Sequence, residues 1–142
     1  MANTSAIKTT IEPAIRRWLE SHFPGHQFTE QVLSGYKFDA VAKDGSIVCA
    51  ILCNRPRTRT GNENTGAVRK ALNDLSYLKL LPMGVKKLMV FTDAGFCELI
   101  RRRAARLGPE SIEMRVCELP DDLKPLLEQI LDQASYEQRA AE

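Results

Sequence analysis

One carboxylate stands out by its setting. In Phe38-Asp39-Ala40-Val41-Ala42, Asp39 is the polar side chain of an otherwise apolar segment. A lone acid so placed pairs with a cation such as Lys37 or Lys70, or accepts hydrogen bonds as a structural group. Eight residues after it begins Ile47-Val-Cys-Ala-Ile-Leu-Cys53, which opens at once into the basic segment Arg55-Pro-Arg-Thr-Arg59. Arg55, Arg57 and Arg59 suit contacts with phosphate groups, which position a nucleic acid without reading its sequence. Affinity carried by such contacts falls steeply with salt.

Other chemistries find little support. The two histidines, His22 and His26, flank Pro24-Gly25 with no Cys or acidic partner at zinc spacing. Thr60-Gly61 and Thr65-Gly66 match neither the Walker nor the dinucleotide phosphate loop. Cys53 lacks a base that would make it a nucleophile. The four cysteines form no C-x-x-C. Cys49 and Cys53, four apart on one strand, lie about 13 Å apart at strand rise and cannot bridge. Reduced, buried thiols in a cytoplasmic protein are expected.

The elements that must position Asp39 follow from periodicity and punctuation. Ile7, Ile11, Ala14, Ile15, Trp18 and Leu19 recur at helical spacing. Pro13 should start the regular part of that helix near Thr9 or Thr10, where Thr9-x-x-Glu12 fits a capping box. His26 to Leu33 reads as a strand, turning at Ser34-Gly35 into a hairpin, Tyr36 to Asn54. That hairpin has Asp44-Gly45 at its centre, the pair suited to a type I′ turn. The uninterrupted run Ile47–Cys53 suits a central strand covered on both faces. A helix from Thr65 to Leu81 carries the stripe Ala67, Val68, Ala71, Leu72, Leu75 and Leu78. A buried strand at Leu88–Phe91, a helix from Ala94 to Leu107 capped by Asp93, and an edge strand over 112–117 follow. A last helix spans about 121–136, and residues beyond Tyr136 should fray.

The expected fold is α/β, a mixed five-stranded sheet in the order α-β-β-β-α-β-α-β-α with helices on both faces. A chain of 142 residues fits one domain, 1–142. No apolar run approaches the roughly 18 residues of a membrane span, and no apolar leader opens the chain. The net charge of +2 is unevenly distributed. Residues 1–54 balance; residues 55–106 hold twelve basic against four acidic groups; residues 107–142 hold three against nine. A basic middle favours a phosphate-bearing partner, and the run Arg101-Arg102-Arg103 with Arg106 extends it.

This order, with an Asp on the second strand, resembles the restriction-endonuclease-like, PD-(D/E)XK nuclease superfamily. The likeness covers about residues 10–118. It rests on Phe38-Asp39-Ala40, Asp44-Gly45-Ser46, the strand to Asn54, the Arg-Thr-Arg-Thr-Gly loop and Thr65-Gly66-Ala67-Val68-x-Lys70-Ala71-Leu72-x-Asp74-Leu75. The resemblance implies two carboxylates on neighbouring strands that hold a divalent metal, and a lysine that orients the attacking water. Asp39 matches the first carboxylate. The second should fall at Ala50 and the lysine at Leu52, both apolar here. Members of the superfamily relocate these groups, which makes Glu12, Glu63 and Lys70 the candidates to complete a site around Asp39.

Two readings of different class follow, with a third beside them. The leading expectation is a degenerate nuclease-like module that binds DNA, RNA or an acidic partner through Arg55, Arg57, Arg59 and Lys70, without cofactor or catalysis. The alternative is an active Mg²⁺-dependent nuclease with Asp39 as metal ligand and Glu12, Glu63 and Lys70 relocated beside it. The third is an assembly protein that forms a homodimer through the 112–117 edge or a helix face.

Overall fold

The strand β3 (Ile47–Leu52) organises the molecule, with all six residues buried. A computed structural model describes residues 5–58 and 60–141, the side chains from 135 onward excepted. Along the chain come a π-helical turn (Ile7–Ile11), α1 (Glu12–His22), β1 (Phe28–Leu33), β2 (Tyr36–Ala42) and β3. Then follow α2 (Thr65–Lys79), β4 (Lys86–Phe91), α3 (Ala94–Ala104), a 3₁₀ turn (Ala105–Leu107), β5 (Ile112–Val116) and α4 (Lys124–Ala141). The sheet is open and mixed, ordered β1-β2-β3-β4-β5. The first three strands run antiparallel as a meander, and β4 and β5 add in parallel. This is the expected α/β order.

Strand alternation divides the apolar side chains between two cores. Val48, Ala50, Leu52, Met89 and Phe91 pack against α2 and α3 through Ala71, Leu75, Leu78, Phe96 and Ile100. Ile47, Cys49, Ile51, Cys53, Leu88 and Val90 pack against α1 and α4 through Ile11, Ile15, Leu19 and Leu127. A strand covered on both faces has no polar side to show, which is why β3 reads as one apolar run. All four cysteines are free and buried. Among the described residues no helix is long and apolar enough to cross a membrane.

Four local expectations change. The type I′ turn lies at Ser34-Gly35, where φ is +52° and +80°, and not at Asp44-Gly45. Only Gly45 of the latter pair has positive φ, +77°. Asp44 instead accepts from the Ser46 N–H (3.0 Å) and hydroxyl (2.6 Å), a side-chain turn of its own. The capping box at Thr9 does not form. The chain is helical already at Ser5, and Thr9 Oγ1 donates to the Ser5 carbonyl (3.0 Å). A wide turn, with the Glu12 N–H donating to the Ile7 carbonyl, leads into Pro13, whose missing N–H would interrupt ordinary helical bonding. Finally, α3 tightens into the 3₁₀ turn after Ala104, and α4 continues beyond Tyr136 to Ala141.

Candidate metal site

Asp39 sits where the β1–β2 ladder loses its register. Thr29 pairs with Val41 and Gln31 with Phe38, so β2 spends one residue more than β1 across the same interval. This bulge lies at Asp39-Ala40, opposite Glu30. Its consequence is visible in the cores: Phe38 and Val41 both join the α2/α3 side, whereas Ala40 and Ala42 join the α1/α4 side. The bulge turns Asp39 out of the strand's alternation. The β2–β3 ladder also ends here, with Ala40 opposite Cys49 as its last pair toward Asp39. Beyond it the Ile51 N–H donates to Asp39 Oδ2 (2.8 Å), a side chain standing in for a strand carbonyl.

Two further carboxylates converge on Asp39. Glu12 arrives from the first turn of α1 and Glu30 from β1, and one oxygen of each lies within 4.8 Å of the others. Glu12 is 7% exposed, and its Oε1 is buried without a hydrogen-bond donor. Arg16 Nη1 stops at 3.9 Å and gives its hydrogen bond instead to the Asp39 carbonyl (2.9 Å). Glu30, at the solvent side, pairs with Lys37 (3.2 Å) and Lys8 (3.5 Å).

The electrostatics follow from this crowding. Burial, and then the charge of Asp39, push the Glu12 carboxyl above its ordinary value. Burial likewise raises Asp39, against the lowering effect of the Ile51 N–H and the Lys70 charge. Burial opposes the charge of Lys70, but Asp74, Asp39 and Glu12 outweigh it and hold the ammonium firmly protonated. Two acids that resist ionisation, with one oxygen unpaired, make an all-oxygen donor set of the kind that hard divalent cations take.

The predicted residues separate into two groups. Asp39 and Glu12 are brought together, and Lys70 lies within electrostatic reach while bonded to Asp74 (3.1 Å). Glu63 is turned elsewhere: it forms an ion pair with Arg103 of α3, and its backbone bridges to Arg57. Arg55 is held by Glu128 (3.2 Å) and Asp132 (2.9 Å) of α4, and Arg57 donates to the Gly61 carbonyl (2.8 Å). Arg59 lies outside the described residues.

The register of β3 also corrects which positions face the cluster. Ala50 and Leu52 point to the α2/α3 core. Ile51 and Cys53 share the face of Glu12, and the charges of Glu12 and Asp39 reach the Cys53 thiol, which burial already keeps protonated. The two-residue spacing expected of a carboxylate and lysine is therefore filled by the sec-butyl side chain of Ile51 and the thiol of Cys53.

Glu30 was not among the expected ligands. A glutamate on a half-exposed strand carries no local signal, and only the bulge sets it opposite Asp39. No protein-family model, no curated protein and no solved structure matches this chain.

Proposed function

We propose that this protein is a divalent-cation-dependent phosphodiesterase acting on nucleic acid, a member of the restriction-endonuclease-like group whose metal ligands have moved. The carrying observation is the Glu12–Glu30–Asp39 cluster with its undonated, buried Glu12 oxygen. The five-stranded order with Asp39 on β2 supports the same reading. A cation held by these three carboxylates would polarise a phosphate and make bound water more acidic. The chain's own groups do the rest. Glu12 and Asp39 supply oxygens fixed by α1 and by the Ile51 N–H. Lys70 offers a protonated ammonium, 58% exposed at its side chain, to a phosphate oxygen. Lys8 and Lys37 hold Glu30 at the rim.

The test is incubation with labelled single- and double-stranded DNA and RNA in Mg²⁺, Mn²⁺ or EDTA. Cleavage should need the cation and fall about 1,000-fold or more in Asp39→Ala, since a misplaced metal forfeits several kcal/mol of transition-state stabilisation. Cleavage that persists in EDTA, or in the variant, removes the reading.

The other reading is the binding module without cleavage, favoured by the absence of a carboxylate and a lysine at Ile51 and Cys53. Retention of nucleic acid in the same assay, weakened by salt and by Arg57→Ala but never followed by cleavage, would select it.

A further inference from the structure

A pair of tyrosines lies on the α2 side of the sheet, where Tyr36 packs against the edge of that core. Lys70, Asp74 and Tyr77 stand at i, i+4 and i+7 on α2, one face of the helix. Tyr36 opens β2 three residues before Asp39. The rings of Tyr36 and Tyr77 stack at 3.9 Å with an interplanar angle of 14°. Tyr36 is packed edge-on by Phe38 (5.1 Å), and its hydroxyl donates to Asp74 Oδ1 while Lys70 takes Oδ2 (3.1 Å). Asp74 is 3% exposed, so both partners are fixed by a buried anchor. Tyr77 is 40% exposed. Its inner face is covered by Tyr36, and its hydroxyl has no hydrogen-bond partner among the described residues. The chain thus presents one flat aromatic face, backed by Tyr36, on the same helix face as the Lys70 ammonium, which lies within electrostatic reach of Asp39 and Glu12.

We infer that Tyr77 is a stacking platform for an unpaired base, with Lys70 taking the adjoining phosphate, so that the substrate is single-stranded nucleic acid or an unpaired end. An aromatic face beside a cation is the pairing by which proteins hold single strands, because every base has a face to stack and every nucleotide a phosphate. A duplex offers neither an open base face at its side nor a reason for a preset tyrosine pair. The inference rests on the proposed function for its substrate chemistry, but its test reads binding alone.

The experiment is fluorescence anisotropy of a labelled oligothymidine and of a duplex of equal length, in EDTA, for the wild type, Tyr77→Ala and Tyr77→Phe. Wild type should prefer the single strand. Tyr77→Ala should weaken that binding about tenfold while leaving the weaker duplex binding unchanged. Tyr77→Phe should bind as wild type does, and circular dichroism with thermal melting should show both variants folded. The inference is overturned if the single strand is not bound, if Tyr77→Ala binds it normally, or if duplex and single strand lose affinity equally.

The two readings fail separately. Tyr77-dependent binding with no cation-dependent cleavage leaves the platform standing and removes the phosphodiesterase. Asp39-dependent cleavage untouched by Tyr77→Ala at subsaturating single strand does the reverse.

Discussion

Glu12 and Asp74 are both buried carboxylates, 7% and 3% exposed, one on each side of the sheet, and they are treated in opposite ways. Asp74 has a donor on each oxygen, the Tyr36 hydroxyl and the Lys70 ammonium. Glu12 has an oxygen with none, a neighbouring acid, and an arginine held just out of reach. A buried acid with all its partners is part of the architecture; one kept short of a partner beside two more acids is where the proposed cation would sit. The two acids differ in their partners where burial alone does not distinguish them.

The largest expected effect is on the satisfied side. Asp74→Ala strands the Tyr36 hydroxyl and frees Lys70, and should cost about 2–3 kcal/mol in urea denaturation. Asp74→Asn keeps an acceptor for Tyr36 and should cost less. A loss under about 1 kcal/mol for the alanine variant would erase the contrast with Glu12.

On the other side the sign reverses. Glu12→Gln removes a charge that burial and Asp39 both oppose, and should raise stability at neutral pH by about 1 kcal/mol. The same variant should lose the rise in melting temperature that millimolar Mg²⁺ or Mn²⁺ gives the wild type by binding the folded state. If Glu12→Gln is destabilising, or if the cation stabilises it as well as the wild type, Glu12 is an architectural acid like Asp74.

How much of this was legible beforehand depends on the range of the interaction. The apolar run of β3 and the stripe of α2 are written in local periodicity, so the strand order and the two-sided burial followed from them. Asp39 could be singled out because its neighbours are apolar. Glu12 was legible as a candidate beside Asp39, with a helix cap, Thr9-x-x-Glu12, as its other reading, and that cap does not form. Glu30, and the exchange of Ile51 and Cys53 for Ala50 and Leu52, depend on one inserted residue in β2. A slip of one position turns every side chain of a strand to the other face, and no spacing within the strand records where the slip occurs. The pairing of Tyr36 with Asp74 joins residues 38 apart in sequence and has no local trace either.

A pH series sharpens the comparison further. Glu12 and Asp39 have folded-state pKa values above their ordinary ones, so folding takes up protons between the ordinary carboxylate range and the raised values. The stability tied to these protons is complete at the acidic end and is lost as pH rises through the raised values. Glu30 and Asp44, lowered by Lys37 and Lys8 and by Ser46, lose their contribution only below the ordinary range. Wild type without cation should therefore become more stable as pH falls from neutral toward the ordinary carboxylate range and less stable below that range. Glu12→Gln should show a shallower gain in the first interval and the same loss in the second. A wild-type profile that only falls on acidification would mean that neither acid is strained at neutral pH.

The smallest expected effect concerns the basic loop, where sequence and space disagree. Twelve basic residues between 55 and 106 suggested a field open to phosphate, yet Arg55 is folded back on Glu128 and Asp132 of the acidic last helix, and Arg103 on Glu63. Charges segregated along the chain are here brought together by the fold. These pairs are exposed, with the acids of α4 56–62% open at their side chains, so solvent screens most of their attraction. Arg55→Ala should lower stability by less than about 1 kcal/mol, and the loss should shrink further in 0.5 M salt, because screening acts on pairs at the surface and hardly on Asp74. The same variant should change single-strand retention less than Tyr77→Ala does, since an arginine already engaged by two carboxylates must release them before it meets a phosphate. A larger effect from Arg55 than from Tyr77 would move the nucleic-acid surface from the tyrosine pair to the loop, and with it the balance between the two readings of this fold.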